Sequence, residues 1–194
     1  MIDVIGSPGG NIGSLTRCLS RLELSHRVIT RPAEHTESAP VILPGVGAFG
    51  GVARALSQDG WYDALPRLLL SKTPLLGICV GLQILFSESD ESPGVPGLKV
   101  LPGRISRFQA AKVPQVGWNG ITASGNNLYP SGFAYFVNSY YVVPDRETTV
   151  LYTSDFHGPF CAGVHSDNIT AFQFHPEVSG AFGRRVLRVW FDAL

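Results

Sequence analysis

The stretch that decides the fold is "PLLGICVGLQILFSE", residues 74–88. PLLGI reads as a short buried strand and VGLQILFSE as a helix, so Gly77 to Gly81 must form a sharp turn between them. A G-x-C-x-G at such a junction has the form of a nucleophile elbow. The central residue is strained, and its neighbours must be tiny for the backbones to pass. The following helix would aim free N–H groups and its positive end at the Cys79 sulfur, favouring thiolate over thiol. The N–H of Val80 would sit where an oxyanion forms. Taken alone, the motif fits equally well a cysteine packed beside glycines that serve only close approach.

Outward from the elbow, strand and helix signals alternate through the first half. "IDVIG" is an apolar run ending at Gly and Pro. Asn11 stands at a helix N-cap position before Leu15, Leu19 and Leu22 at helical spacing. "RVIT" and "VILPG" are strand-like, and "WYDALPRLLLSK" is largely helical, with Pro66 in its first turn or at a kink. This alternation predicts an α/β fold: an open mixed, mostly parallel sheet with helices on both faces. From about Lys99, "KVLPGRISRF", "FAYFVNSYYVV", "TTVLYTS" and "NITAFQFH" add antiparallel strands. "GAFGRRVLRVWFDAL" closes the chain as a helix with Phe182, Val186, Val189 and Trp190 on one stripe.

A base would make Cys79 a nucleophile, and "FQFHPEVSG" supplies one. His175 ends a strand, and Pro176 biases it toward an extended conformation, so Glu177 can lie on the same side. The carboxylate would hold the imidazole tautomer while the other nitrogen faces the thiol, giving a Cys79–His175–Glu177 triad. "PGVGAFG", residues 44–50, follows the strand "VIL" at its carboxyl end, where open parallel sheets place their ligands. A glycine turn is its simplest reading; a mobile peptide donating a second oxyanion N–H is the functional one.

Bulk properties narrow the class. A chain of 194 residues has room for one sizeable core, so residues 1–194 are expected to form a single domain. Its 15 basic and 15 acidic residues balance without a basic run, which predicts neither a nucleic-acid surface nor an anionic-membrane surface. No stretch approaches the roughly 20 apolar residues of a membrane span. The opening "MIDVIGSPGG" lacks the charged and apolar regions of a signal peptide, which suggests a cytoplasmic protein. Cys18, Cys79 and Cys161 form neither an even set nor a C-x-x-C pair, arguing against a disulfide framework and a zinc site. His26, His35, His157 and His165 lack metal-ligand spacing.

PGVG, then GIC-x-G-x-Q, then FHPE, in that order, resemble the class I glutamine amidotransferases, of flavodoxin-like architecture. The resemblance implies a glutaminase in which Cys79 attacks the side-chain amide of glutamine, ammonia leaves, and water hydrolyses the thioester. It makes His175 the base and then the acid, and Glu177 its orienter. Gln83 becomes a substrate contact, Val46–Gly47 the peptide that turns to complete the oxyanion hole, and Val80 the other donor. No cofactor or metal is implied. Within the family, "GGNIGSL", "PGVGAFG", "SDESPGVPGLKVLPG", "VPQVGWN" and "YFVNSYY" resemble the glutaminase subunits of imidazole glycerol phosphate synthases, from Gly9 to Gly180.

Free ammonia is mostly protonated at neutral pH, so a glutaminase passes it directly to an acceptor, and this chain has neither a spare hundred residues nor a P-loop. The resemblance names the acceptor: a (β/α)8-barrel cyclase subunit, which with the glutaminase makes imidazole glycerol phosphate and AICAR in histidine biosynthesis. It also puts Asn11, Trp118, Asn119 and Tyr135 at the partner boundary, with Ser139 and Tyr140 near bound glutamine. Gln115 and Asn138 stand where many relatives carry His, and Val178 where many carry a basic residue. The acidic-aromatic pair common near the start of relatives is replaced around Ser7 and Pro8. Two other functions remain open: a paralogue feeding a different acceptor such as a sugar-modifying synthetase, and a non-catalytic regulatory subunit.

Overall fold

Short runs of β-branched and leucine residues build one half of the sheet: β1 (Ile2–Ile5), β2 (His26–Ile29), β3 (Val41–Gly45), β4 (Leu75–Cys79) and, near the end of the chain, β11 (Ile169–Phe172). These five run parallel in the order β2-β1-β3-β4-β11. Apart from β2, an edge strand, they are buried along their whole length, as strands covered on both faces must be. The computed structural model describes residues 1–6, 11–125, 128–146 and 149–194. Ser7 and Pro8, where the chain departs from its relatives, and Gly9 and Gly10, where the resemblance begins, lie outside the described residues.

After β1 the chain crosses through α1 (Ile12–Arg21) to one side of the sheet, then returns to build β3 and β4 on the other. With right-handed crossovers, this reversal puts α1 on one face and α2 (Phe49–Gln58) with α3 (Trp61–Leu70) on the opposite one. Asn11 caps α1 by accepting from the Ser14 N–H, and Leu15, Cys18 and Leu19 form the buried stripe. α2 was not anticipated from the sequence, and its N-cap, Ala48, has no capping side chain. Its first N–H groups are satisfied from 42 residues away: Phe49 donates to Glu91 Oε2 at 2.7 Å and Gly50 to Ser92 Oγ at 3.0 Å. Pro66 lies in the middle of α3 rather than in its first turn.

The antiparallel part is larger than the added strands the sequence suggests. β5 (Gly103–Arg107), β6 (Gln115–Ala123), β7 (Gly132–Asn138), β8 (Tyr140–Pro144), β9 (Val150–Asp155) and β10 (Pro159–Ser166) extend the sheet beyond β11 in the order β10-β9-β6-β7, while β8 pairs with both β10 and β5. "FAYFVNSYYVV" is therefore two strands, broken at Ser139. Across the break the Asn138 amide donates to the Tyr140 carbonyl at 3.0 Å, and the Ser139 carbonyl accepts from Phe108 N. The aromatic residues of this half pack edge to face, and Phe172 and Phe174 stack with centroids 4.9 Å apart. α5 (Gly180–Asp192) closes the fold with Val186, Leu187 and Trp190 buried.

At the far end of the parallel half, buried Asp3 accepts from Arg27 Nε at 2.6 Å and Thr36 N at 3.1 Å, with His35 Nδ1 2.9 Å away. Although its burial opposes ionisation, these hydrogen bonds and the Arg27 charge hold the carboxyl below its ordinary range. No helix among the described residues is long and apolar enough to cross a membrane.

Candidate active site

β3, β4 and β11 end side by side, so the residues that follow them meet at the carboxyl edge of the sheet. Gly45 pairs with Cys79, and the chain leaves β4 into a single helical turn, α4 (Val80–Gln83). Cys79 has φ 55° and ψ −110°, a strained backbone for a residue with a Cβ. The glycines make the turn possible. A Cβ on Gly81 would stand 1.9 Å from the Leu43 carbonyl oxygen, one on Gly77 2.8 Å from the Gly81 oxygen, and one on Gly45 2.6 Å from the Gly81 nitrogen.

The helix expected from Val80 to Glu88 stops after one turn. The carbonyls of Ile84, Leu85, Phe86 and Ser87 instead accept N–H groups from residues 97–101, with Leu98 N to Ile84 O the shortest at 2.7 Å. The dipole behind the Cys79 sulfur is thus that of one turn, and the neighbouring side chains dominate its surroundings.

The chain leaving β11 brings His175 to the sulfur, with Glu177 behind it. The His175 ring lies beside Cys79 on one side, and on the other its Nδ1 lies 2.9 Å from Glu177 Oε1. Both side chains are more than nine-tenths buried. Burial disfavours the imidazolium, but the hydrogen bonds to Cys79 and Glu177, with their negative charges, outweigh it and raise the His175 pKa to about 10. A 3-10 turn, Pro176–Val178, carries Glu177. Ser179 pins that turn by donating to the His175 carbonyl at 2.6 Å and accepting from Tyr135 N at 2.9 Å. Tyr135 O in turn accepts from His175 N at 2.9 Å.

Above the sulfur lies a cleft of about 690 Å³. Of the residues singled out from the sequence, Val46, Gly47, Val80, Gln83, Ser139 and Tyr140 line it together with Cys79 and His175. Gly47, at φ +95°, has open space where a Cβ would be. Asn11, Trp118 and Tyr135 are at its rim, and Val178, 38% exposed, joins them. Glu177 is behind His175 and does not reach the cleft. Neither does Asn119, whose amide donates to the Asp155 carbonyl at 2.7 Å. Gln115 and Asn138 are paired in register on the inward side of the β6–β7 hairpin. Both Gln115 amide atoms and Asn138 Oδ1 are buried without a hydrogen-bond partner among the described residues.

Besides the cleft-lining Pro114 and Val137, sequence reasoning did not single out Glu91 or Gln173. Glu91 lines the cleft while capping α2. Gln173, fully buried, donates from Nε2 to the Cys79 sulfur at 3.7 Å and accepts from Gln83 Nε2 at 3.1 Å. Its signal was the alternation in "FQFH", which puts Gln173 and His175 on the side opposite the two phenylalanines.

A strained cysteine on a glycine-packed elbow, with a buried His–Glu pair beside it, is the arrangement expected of an acyl-transfer nucleophile. Residues 4–193 match the model of the class-I glutamine amidotransferases, and the chain belongs to that family. Within it, the chain is 40% identical over 197 residues to imidazole glycerol phosphate synthase subunit HisH of Herpetosiphon aurantiacus, covering 99% of this chain and 94% of that one. It is 40% identical over 186 residues to HisH of Deinococcus radiodurans, covering 92% and 86%. Among solved structures, a glutamine amidotransferase superposes with a TM-score of 0.80 at 21% identity, covering 98% of this chain and 97% of that one. PurLQS of Thermotoga maritima follows at 0.75 and 16%, covering 99% and 97%. At these identities the structural likeness establishes the α/β fold.

Proposed function

We propose that this chain is the glutaminase subunit of an imidazole glycerol phosphate synthase, which hydrolyses glutamine and hands the ammonia to a separate (β/α)8-barrel cyclase subunit. Cys79 and His175 side by side at the floor of the cleft, with Glu177 bonded to His175 from behind, carry this reading. His175, its pKa raised, takes the proton that the sulfur gives up for attack and holds it for the leaving nitrogen.

The Cys79 sulfur bonds to the side-chain carbonyl carbon of glutamine, and the carbonyl oxygen becomes an oxyanion facing Val80 and the Val46–Gly47 peptide. Collapse breaks the C–N bond, and His175 gives its proton to the nitrogen, so ammonia leaves and a thioester remains. His175, now neutral, takes a proton from water as the oxygen attacks the thioester. The C–S bond breaks, glutamate leaves, and the thiolate and imidazolium are restored. Glu177 keeps Nε2 of the ring directed at the sulfur throughout.

Glutamate release tests this with the purified chain alone, with the cyclase subunit, and with the cyclase plus its nucleotide ligand. Hydrolysis is expected in the last mixture and should vanish in Cys79→Ala while the complex still forms. Hydrolysis retained by Cys79→Ala would remove the triad assignment.

A further inference from the structure

Gln173 lies where the sheet register brings a second side chain to the sulfur. β11 runs beside β4 with Phe172 opposite Ile78, so the next residue comes level with Cys79. Its backbone is fixed by a 2.9 Å bond from Gln173 N to the Ala162 carbonyl. The aromatic core takes Phe172 and Phe174, leaving Gln173 and His175 to face the elbow. The Cys79 sulfur is therefore held between His175 and the Gln173 amide.

The other end of that amide sets Gln83. Its Nε2 gives one hydrogen to Gln173 Oε1 at 3.1 Å and the other to the Tyr140 carbonyl at 3.3 Å. Both donors are then spent inside the protein, and the carbonyl Oε1 is the Gln83 atom left to meet the cleft. A carbonyl in that place accepts an N–H, which an ammonium or amide group of an amino-acid substrate offers.

Resting on the glutaminase reading, we propose that Gln173 is a further residue of the reaction: one end of its amide steadies the Cys79 thiolate, and the other turns Gln83 to present a hydrogen-bond acceptor to the substrate. Two variants separate the halves. Gln173→Leu removes both interactions, whereas Gln173→Glu removes the donor to sulfur and keeps an acceptor for Gln83.

The test is alkylation of the full chain by iodoacetamide as a function of pH, with Cys79 labelling read by peptide mass spectrometry, in the absence and presence of glutamine. Burial raises the pKa of both Cys18 and Cys161, the latter to about 12, so both serve as slow internal references. At neutral pH, Cys79 labelling should fall about tenfold in both variants, the size of a hydrogen bond to a charged group, with the profile moved to higher pH. The glutamine concentration that half-protects Cys79 should rise about tenfold in Gln173→Leu and much less in Gln173→Glu.

Labelling profiles that superimpose on the wild type in folded variants, judged by thermal melts, would overturn the sulfur half. Equal loss of protection in the two variants would overturn the Gln83 half. If Gln173→Leu does not fold, the near-isosteric Gln173→Glu decides the sulfur half, and for the Gln83 half it is compared with Gln173→Met, which also lacks the acceptor. A wild type that is labelled and protected as described, yet releases no glutamate in any mixture, would remove the glutaminase reading and leave the Gln173 assignment standing.

Discussion

His175 is a buried imidazole that holds its proton because two acidic neighbours overcome the cost of burial. The consequence for stability has a definite sign. An imidazole raised from an unfolded value of about 6.5 to about 10 contributes fully below the former and loses its contribution as pH rises toward the latter. Over that window the folded chain binds more protons than the unfolded one. Urea midpoints of the wild type should therefore decline relative to His175→Asn between neutral pH and about pH 10. A gap that widens in favour of the wild type would contradict the assignment of the proton to His175. At this scale the sequence was informative where partners are local: His175 and Glu177 are two residues apart, and a proline between them sets their geometry. Gln173 was equally close, but its partners, Cys79 and Gln83, are about ninety residues away, and only the parallel register of β4 and β11 brings them together.

Among the elements, the elbow was legible and the helix after it was not. Glycines around a cysteine announce close backbone approach, and Gly77 and Gly81 do sit where a Cβ would collide with main chain. The termination of α4 depends on residues 97–101 competing for its carbonyls, and the start of α2 depends on Glu91 and Ser92. Neither leaves a mark in the local pattern. Two glycines give contrasting predictions. Gly81→Ala would drive a methyl group into the Leu43 carbonyl of β3, a rigid neighbour, and should cost about 3 kcal/mol or more, or prevent folding. Gly47→Ala meets no atom within 4 Å, so its cost is only the left-handed backbone, about 1–2 kcal/mol within a loop. Urea midpoints and glutamate release together should show Gly47→Ala folded with reduced hydrolysis, and Gly81→Ala losing both. A Gly47→Ala variant with undiminished hydrolysis would place the oxyanion donor elsewhere.

In the whole molecule, the parallel half collects the reacting groups at one edge and the antiparallel half folds a hairpin over them. Strand alternation on that hairpin sorts the residues the resemblance put at the partner boundary. Gln115, Gly117 and Asn119 face inward, whereas Val116 and Trp118, with Phe133, Tyr135 and Val137 opposite, face outward. Trp118 is 57% exposed and touches Tyr135 edge to face, and Val116 and Val137 are exposed beside it. An apolar face of this kind at the mouth of a cleft is where an ammonia-accepting partner would seal against water. Through Tyr135 the same hairpin is bonded to the His175 N–H and to Ser179. The resemblance puts both Trp118 and Asn119 at the partner boundary, and on this face the exposed Trp118 side chain is the one that offers an anchor. Trp118→Ala should weaken association with the cyclase subunit by about thirtyfold, the loss expected for a roughly 2 kcal/mol hot spot, without lowering the thermal midpoint of the free chain. Leu70→Ala, at an 83% exposed position on α3, is the control that should leave affinity unchanged. Isothermal titration of both variants reads the difference directly, and equal affinities would move the docking surface away from the hairpin.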